Sequence, residues 1–121
     1  ERLRAKIDAG ADYVMTQPVF DDASMETIAT FREAVSVLPG VMVLKSTAHA
    51  ERIAQVPGVT LPRAVIDALA KYTSSADQLK AGIDLAVRQA HEYRSQGWAG
   101  VYLMSPASLG AAKQVLKTLA E

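Results

Sequence analysis

The chain contains no cysteine, which removes disulfides, thiolate metal sites and cysteine nucleophiles from consideration. Neither sign of charge is in excess, with 13 Lys and Arg against 13 Asp and Glu. A nucleic-acid or anionic-membrane surface needs clustered basic residues in excess, so neither partner is expected. Apolar runs are short, the longest being broken at Pro39-Gly40, and none reaches the ~20 residues of a bilayer span. No phosphate-cradling loop is visible, because Gly10, Gly40, Gly97 and Gly100 are spaced as helix stops and strand starts. No signal peptide is visible either, and the expected location is cytoplasmic.

What is present is a globular composition, 50% apolar and 21% charged, enough to build a core. Three times a helix-period segment leads through glycine into a short apolar run, as when helices return a chain to parallel strands. In the first, Leu3 and Ile7 precede Gly10 and the run 11–15. In the second, Asp22 caps a helix with Met25, Ile28, Phe31 and Val35 on one face, before Pro39-Gly40 starts the strand 41–44. That strand lacks alternation, as strands covered on both faces do. In the third, Ser75 and Gln78 have capping-box spacing, and Leu79, Ile83, Val87, Ala90 and Tyr93 share one stripe up to Gly97. A strand 101–104, a turn at Ser105-Pro106 and a last helix burying Ala112, Val115, Leu116 and Leu119 follow. Between the second and third units, Pro62 suits the first turn of a helix that faces Val65, Ile66 and Leu69 inward.

The predicted class is therefore α/β, parallel strands alternating with helices, in one domain over 1–121. Spacing alone does not separate a barrel from a doubly wound sheet. A closed (β/α)8 barrel needs eight strands and an open three-stranded sheet leaves edges exposed. The expectation is either a longer chain, with this as the C-terminal portion of a barrel whose N-terminal half lies elsewhere, or a homo-oligomer.

In parallel α/β folds, ligands sit where the strands end. Those positions are 16–21, 45–49 and 105–108. The first is the richest, with the amide of Gln17, the ring of Phe20 and the carboxylate of Asp21. A glutamine donates and accepts together, which suits a heteroaromatic amide such as a pterin. The competing reading is that Gln17 ties down a loop and that Asp21 or Asp22 caps the next helix. His49-Ala50-Glu51 has part of the form of a deaminase zinc signature, but the cysteines it requires do not exist here, and no metal is expected. His91, Trp98 and Tyr102 read as a surface residue and two core or rim aromatics.

The stretch Lys6-Ile7-Asp8-Ala9-Gly10-Ala11-Asp12, followed by Thr16-Gln17-Pro18-Val19-Phe20-Asp21, resembles the signature of the methylenetetrahydrofolate reductases. Pro39-Gly40, Val59-Thr60-Leu61-Pro62, Ala81-Gly82-Ile83 and the last strand extend the resemblance over nearly the whole chain. It implies a barrel enzyme that passes a hydride from NAD(P)H through FAD to 5,10-methylenetetrahydrofolate, giving the 5-methyl form. It also implies a pterin contact for Gln17 and a place beside the FAD phosphate-ribose region for Lys6. The acidic residue near the flavin and most flavin ligands would come from earlier strands.

Three departures from the family pattern stand out. Val43 and Lys45 replace a proline and a polar residue, His49 stands where a second folate-facing glutamine can occur, and Ser105-Pro106-Ala107-Ser108 lacks an asparagine-arginine pair. The candidate tetrahydrofolate contacts are thus Gln17, Phe20, Lys45 and His49, and the candidate cofactor contact is Lys6. The departures keep a flavin-independent or non-catalytic folate-binding homologue as the alternative. An unrelated barrel enzyme sharing one such strand end is a third reading.

Overall fold

The computed structural model describes residues 2–105 and 109–120. Helix α1 (Arg2–Asp8) leads to strand β1 (Tyr13–Pro18), α2 (Asp22–Ala29), β2 (Ser36–Met42), α3 (Thr47–Ile53), α4 (Arg63–Ala70), α5 (Ser75–Ser95), β3 (Tyr102–Met104) and α6 (Leu109–Ala120). The strands form one parallel sheet in the order β1-β2-β3. The predicted Ser105-Pro106 turn falls largely on residues 106–108, which lie outside the described residues.

Two helices stop as their glycines predict. Gly10 has φ 103° and Gly97 φ 79°. In each case an amide one residue past the glycine reaches back five residues, Ala11 N to Lys6 O (3.2 Å) and Trp98 N to Tyr93 O (3.2 Å). This is the Schellman closure, which needs a left-handed residue at its corner.

Helix starts differ from expectation by one residue. Asp21, not Asp22, is the cap of α2, its Oδ2 accepting from Ser24 N at 3.0 Å. Ser74, not Ser75, caps α5 by accepting from Asp77 N at 3.1 Å. In both cases the cap is the residue with extended backbone, since that geometry lets a short side chain reach the first free amides. Gln78 is consequently not part of a capping box. Its Oε1 accepts from Thr47 N (3.2 Å) and its Nε2 donates to Tyr72 O (2.8 Å), tying the start of α5 to the start of α3.

The second strand also differs. Pro39 and Gly40 lie inside β2 rather than before it. Pro39 has no N–H to offer a ladder, and opposite it β1 carries one extra residue: Met15 pairs with Leu38, but the next pair is Pro18 with Gly40. A β-bulge thus absorbs the proline. The N–H of Gly40 goes to the Thr16 hydroxyl at 2.9 Å, and that hydroxyl donates in turn to Gln17 O at 2.7 Å. A Cβ at Gly40 would stand 2.5 Å from Gln17 O and 2.6 Å from Met104 Cε, so only glycine fits between the strands.

The helix-side core joins Val14, Val37, Val41, Val43 and Leu103 of the strand segments to Met25, Ile83, Ala86, Val87, Ala111 and Val115 of the helices. Fully burying an aliphatic side chain contributes roughly 1.5–3 kcal/mol, and this layer holds the sheet to α5 and α6. Phe31 and Val35 join it from turns, because α2 ends at Ala29. In α6 the buried face is Ala111 and Val115, with Leu119 partly buried, while Leu116 is exposed. The expected stripe is therefore rotated at its start. The opposite face of the sheet leaves Tyr13, Met15 and Tyr102 exposed. Helices on one face and an open second face are consistent with a segment of barrel wall.

A second, smaller core of Phe20, Leu44, Ala50, Ile66 and Leu69 closes the end where strands finish. Here α5 comes so close to the chain leaving β2 that Gly82 lies directly on Leu44: an added Cβ would overlap the Leu44 carbonyl oxygen. Backbone cannot yield as a flexible side chain does. Gly82→Ala is expected to lower unfolding free energy by about 1–3 kcal/mol or more, although alanine is the better helix former. Chemical denaturation measures this, and an unchanged or raised midpoint would show that helix and strand are not in contact there.

Candidate functional site

The strand ends are built by bonds from outside the sheet. After the bulge, Val19 N donates to Gly40 O at 3.1 Å. The Val19 carbonyl accepts from Gln89 Nε2 of α5 at 3.1 Å, with the Tyr93 hydroxyl at 3.5 Å. The Tyr93 phenol is pushed up to about 12, first by burial and then by Glu92, Asp22 and Asp21, so at neutral pH it is a hydrogen-bond donor. The segment leading from β1 to α2 is thus held at Val19, at Phe20 and at the Asp21 cap.

Gln17 lies at the end of β1 and is exposed. Its amide is anchored across the site, with Nε2 donating to Pro57 O at 3.2 Å in the loop between α3 and α4. That bond leaves one N–H and the carbonyl oxygen of the amide without a partner among the described residues. Gln17 therefore does tie a loop, and Asp21 does cap a helix, as the competing structural reading has it.

Lys45 is exposed just past β2 and forms no ion pair among the described residues. Its backbone N–H donates to Nδ1 of His49 at 3.1 Å, while His49 N donates to the capping hydroxyl of Ser46 at 3.1 Å. His49 is 6% exposed. Its pKa is lowered, by burial first and then by Arg52 and Lys45, which favours the neutral ring that accepting at Nδ1 requires. The imidazole is thus the internal brace of the turn carrying Lys45. Phe20 is also turned inward, packed with Leu44, Ala50, Ile66 and Leu69. Its ring serves the core, which explains why an aromatic at a strand end need not face a ligand.

Gln17 and Lys45 share the end of the sheet where strands finish, together with Ser105 beyond β3. Lys6 does not join them. It is exposed in the last turn of α1, and its carbonyl accepts from Ala11 just before β1 begins. Four residues of strand at about 3.3 Å each separate Tyr13 from Gln17, so Lys6 stands at the other end of β1. Pro106, Ala107 and Ser108 lie outside the described residues. His91 is exposed on α5, and Trp98 is buried beneath the Arg32 guanidinium, 4.1 Å from its ring.

Comparison with known proteins agrees with the motif. The family model described as methylenetetrahydrofolate reductase matches residues 1–120. The chain belongs to this family. A Caenorhabditis elegans protein described as "Probable methylenetetrahydrofolate reductase (NADPH)" is 25% identical over 123 residues. That alignment covers 97% of the chain but 19% of the relative, so the chain spans about a fifth of that protein's length. Within the family frame, Gln17 and Lys45 are the outward-facing polar groups at the strand ends, and Phe20 and His49 support them. Sequence reasoning gave Gln78 a capping role in place of its bonds to Thr47 and Tyr72, and missed Gln89 and the 57–58 loop. Only the Pro57-Gly58 pair carried a signal, that of a turn.

The His49 brace predicts a pH dependence. A group whose folded pKa lies below its unfolded value binds its proton more readily when unfolded, so stability rises with pH across the window between the two. The His49 contribution is complete above the ordinary value of 6.5 and declines as pH falls below it. Melting temperatures between pH 8 and 5 check this, using about these pH values as bracketing conditions for histidine. His49→Leu should flatten that segment of the profile, and an unaltered slope would assign it to other groups.

Proposed function

We propose that this chain supplies folate-holding strand ends of a methylenetetrahydrofolate reductase, an oxidoreductase that reduces 5,10-methylenetetrahydrofolate with NADPH. The observation that carries the reading is Gln17. It sits in the family's Thr-Gln motif, at a strand end, on a bulge that fixes its backbone, with half of its amide still available. A pterin edge presents adjacent donors and acceptors, which such an amide matches. Lys45, past the end of the neighbouring strand, offers a point charge for a carboxylate such as a folate glutamate tail. The work of these residues is orientation: holding the substrate's reactive carbon at a fixed distance from a hydride donor lowers the barrier without acid or base chemistry from this chain.

The nicotinamide preference is taken from the relative's description, and FAD from the family resemblance. FAD would supply the hydride relay when bound. Of the residues that would hold it, this segment offers Lys6, which stands at the opposite end of β1 from the folate candidates. The departures at Lys45 and His49 favour one second reading, a flavin-independent or non-catalytic folate-binding homologue. Flavin absorbance of the purified full-length protein distinguishes the two, and Lys6→Met should lower flavin content if Lys6 contributes.

Two substitutions in the full-length protein test the folate reading. Gln17→Ala should reduce folate affinity by about 1–3 kcal/mol, roughly 5- to 150-fold, with little change in melting temperature. Unchanged binding and turnover would remove Gln17 from the site. Lys45→Gln should weaken folate binding more at low salt than at high salt, because an exposed charge is screened. Equal affinity for wild type and variant at both salts would exclude Lys45.

A further inference from the structure

The loop that receives Gln17 has a specific form. Val59 N donates to Val56 O at 3.1 Å, enclosing Pro57 and Gly58, and Gly58 has φ 87°. Proline first and a positive-φ glycine second are the marks of a type II turn. In that turn the orientation of the central peptide depends on the positive φ. A type I turn over the same residues would turn the Pro57 carbonyl about 180° away. The backbone conformation of Gly58 is thus what presents Pro57 O to the Gln17 amide, the 3.2 Å bond described above.

Gly58 acts on the amide in a second way. A Cβ built there would lie 2.5 Å from Gln17 Oε1, and the next nearest atoms are Gln17 Cδ at 3.6 Å and Nε2 at 3.9 Å. Its three nearest atoms outside the adjoining residues all belong to one side chain. Gln17 Oε1 is the far end of a flexible chain and the residues are exposed. A side chain at Gly58 would therefore be accommodated by displacing the amide rather than by disturbing the core.

We infer that Gly58 is a positioning residue for Gln17, and that the 56–59 turn sets which edge of the Gln17 amide donates and which accepts toward a bound ligand. The inference rests on the folate reading of Gln17. With Nε2 committed to Pro57 O, the amide cannot rotate to exchange its nitrogen and oxygen without losing that bond. The remaining N–H and the carbonyl oxygen then meet a ligand in one fixed order. Specificity for one hydrogen-bonding edge over its mirror arrangement follows from a turn 40 residues away in sequence.

A double-mutant cycle in the full-length protein tests this, with 5-methyltetrahydrofolate as the probe in calorimetry and melting temperature recorded for each variant. Gly58→Ala should weaken binding roughly tenfold, a coupling typical of residues in contact. Combined with Gln17→Ala, it should add almost nothing, because the group it displaces is gone. Its effect on melting temperature should be the same in both backgrounds, since turn strain does not depend on Gln17. Gly58→Asn, which tolerates positive φ but still carries a Cβ, should weaken binding with less loss of stability, and it replaces the alanine variant should that fail to fold. If the Gly58 and Gln17 effects on affinity add independently, or if neither Gly58 variant alters binding, the positioning role is overturned while the folate reading stands. If Gln17→Ala itself binds like wild type, the folate reading falls and this inference with it.

Discussion

The structure depends on one exchange of hydrogen bonds at the middle of its sheet. Pro39 sits in the central strand and offers no N–H, and Gly40 beside it packs where no side chain fits. A regular ladder cannot pass such a pair. The chain opposite gains one residue, and the Thr16 hydroxyl takes the Gly40 N–H while donating to Gln17 O. A buried N–H left unpaired would cost about 1–3 kcal/mol, so the hydroxyl is what makes the bulge tolerable. Thr16-Gln17 on one strand and Pro39-Gly40 on the other are therefore one physical unit, although 24 residues separate the bonded pair.

The candidate site is a consequence of that unit. The bulge ends β1 with Gln17 outward, and Val19 is then fixed from two sides, by Gly40 and by Gln89. Phe20 can turn into the second core because Asp21 immediately begins a capped helix. Just past the neighbouring strand, close contact at Gly82 sets the height of α5 against Leu44, and the next residue is Lys45. Core packing thus reaches to within two residues of Gln17, at Val19, and one of Lys45, at Leu44, which fixes the backbone that carries them.

The repeating order of helix, glycine and strand was legible because Gly10 and Gly97 close their helices by backbone geometry that only a left-handed residue supplies. The long stripe on α5 was legible for the same reason that it is buried: Ile83, Val87, Ala90 and Tyr93 recur at helical period against one layer. The location of β2 was not, because Pro39-Gly40 reads locally as a break and its compensation lies on another strand. Helix α3 was not legible either. Its seven residues have only Ala50 and Ile53 facing the second core, too few to show a period. Of the candidate site, Gln17 and Lys45 followed from their place after apolar runs. The inward roles of Phe20 and His49 depend on helices α3 and α4, whose packing no local pattern announces.

The two outward groups differ in what binding would ask of them. Ordering a long side chain at an interface costs about 0.5–1.5 kcal/mol. Gln17 is already held by Pro57, so much of that cost is met in folding, and its remaining hydrogen-bonding positions are preorganised. Lys45 has its backbone braced by His49 but its ammonium without an ion-pair partner among the described residues. Its side chain must be ordered by whatever it meets, in solvent that screens the gain. On the proposed folate reading, the amide would carry discrimination between ligands, through fixed direction, and the lysine would carry attraction, through charge that tolerates loose geometry. A substrate with a rigid heteroaromatic head and a flexible anionic tail divides its demands in the same way, head to the fixed group and tail to the mobile one.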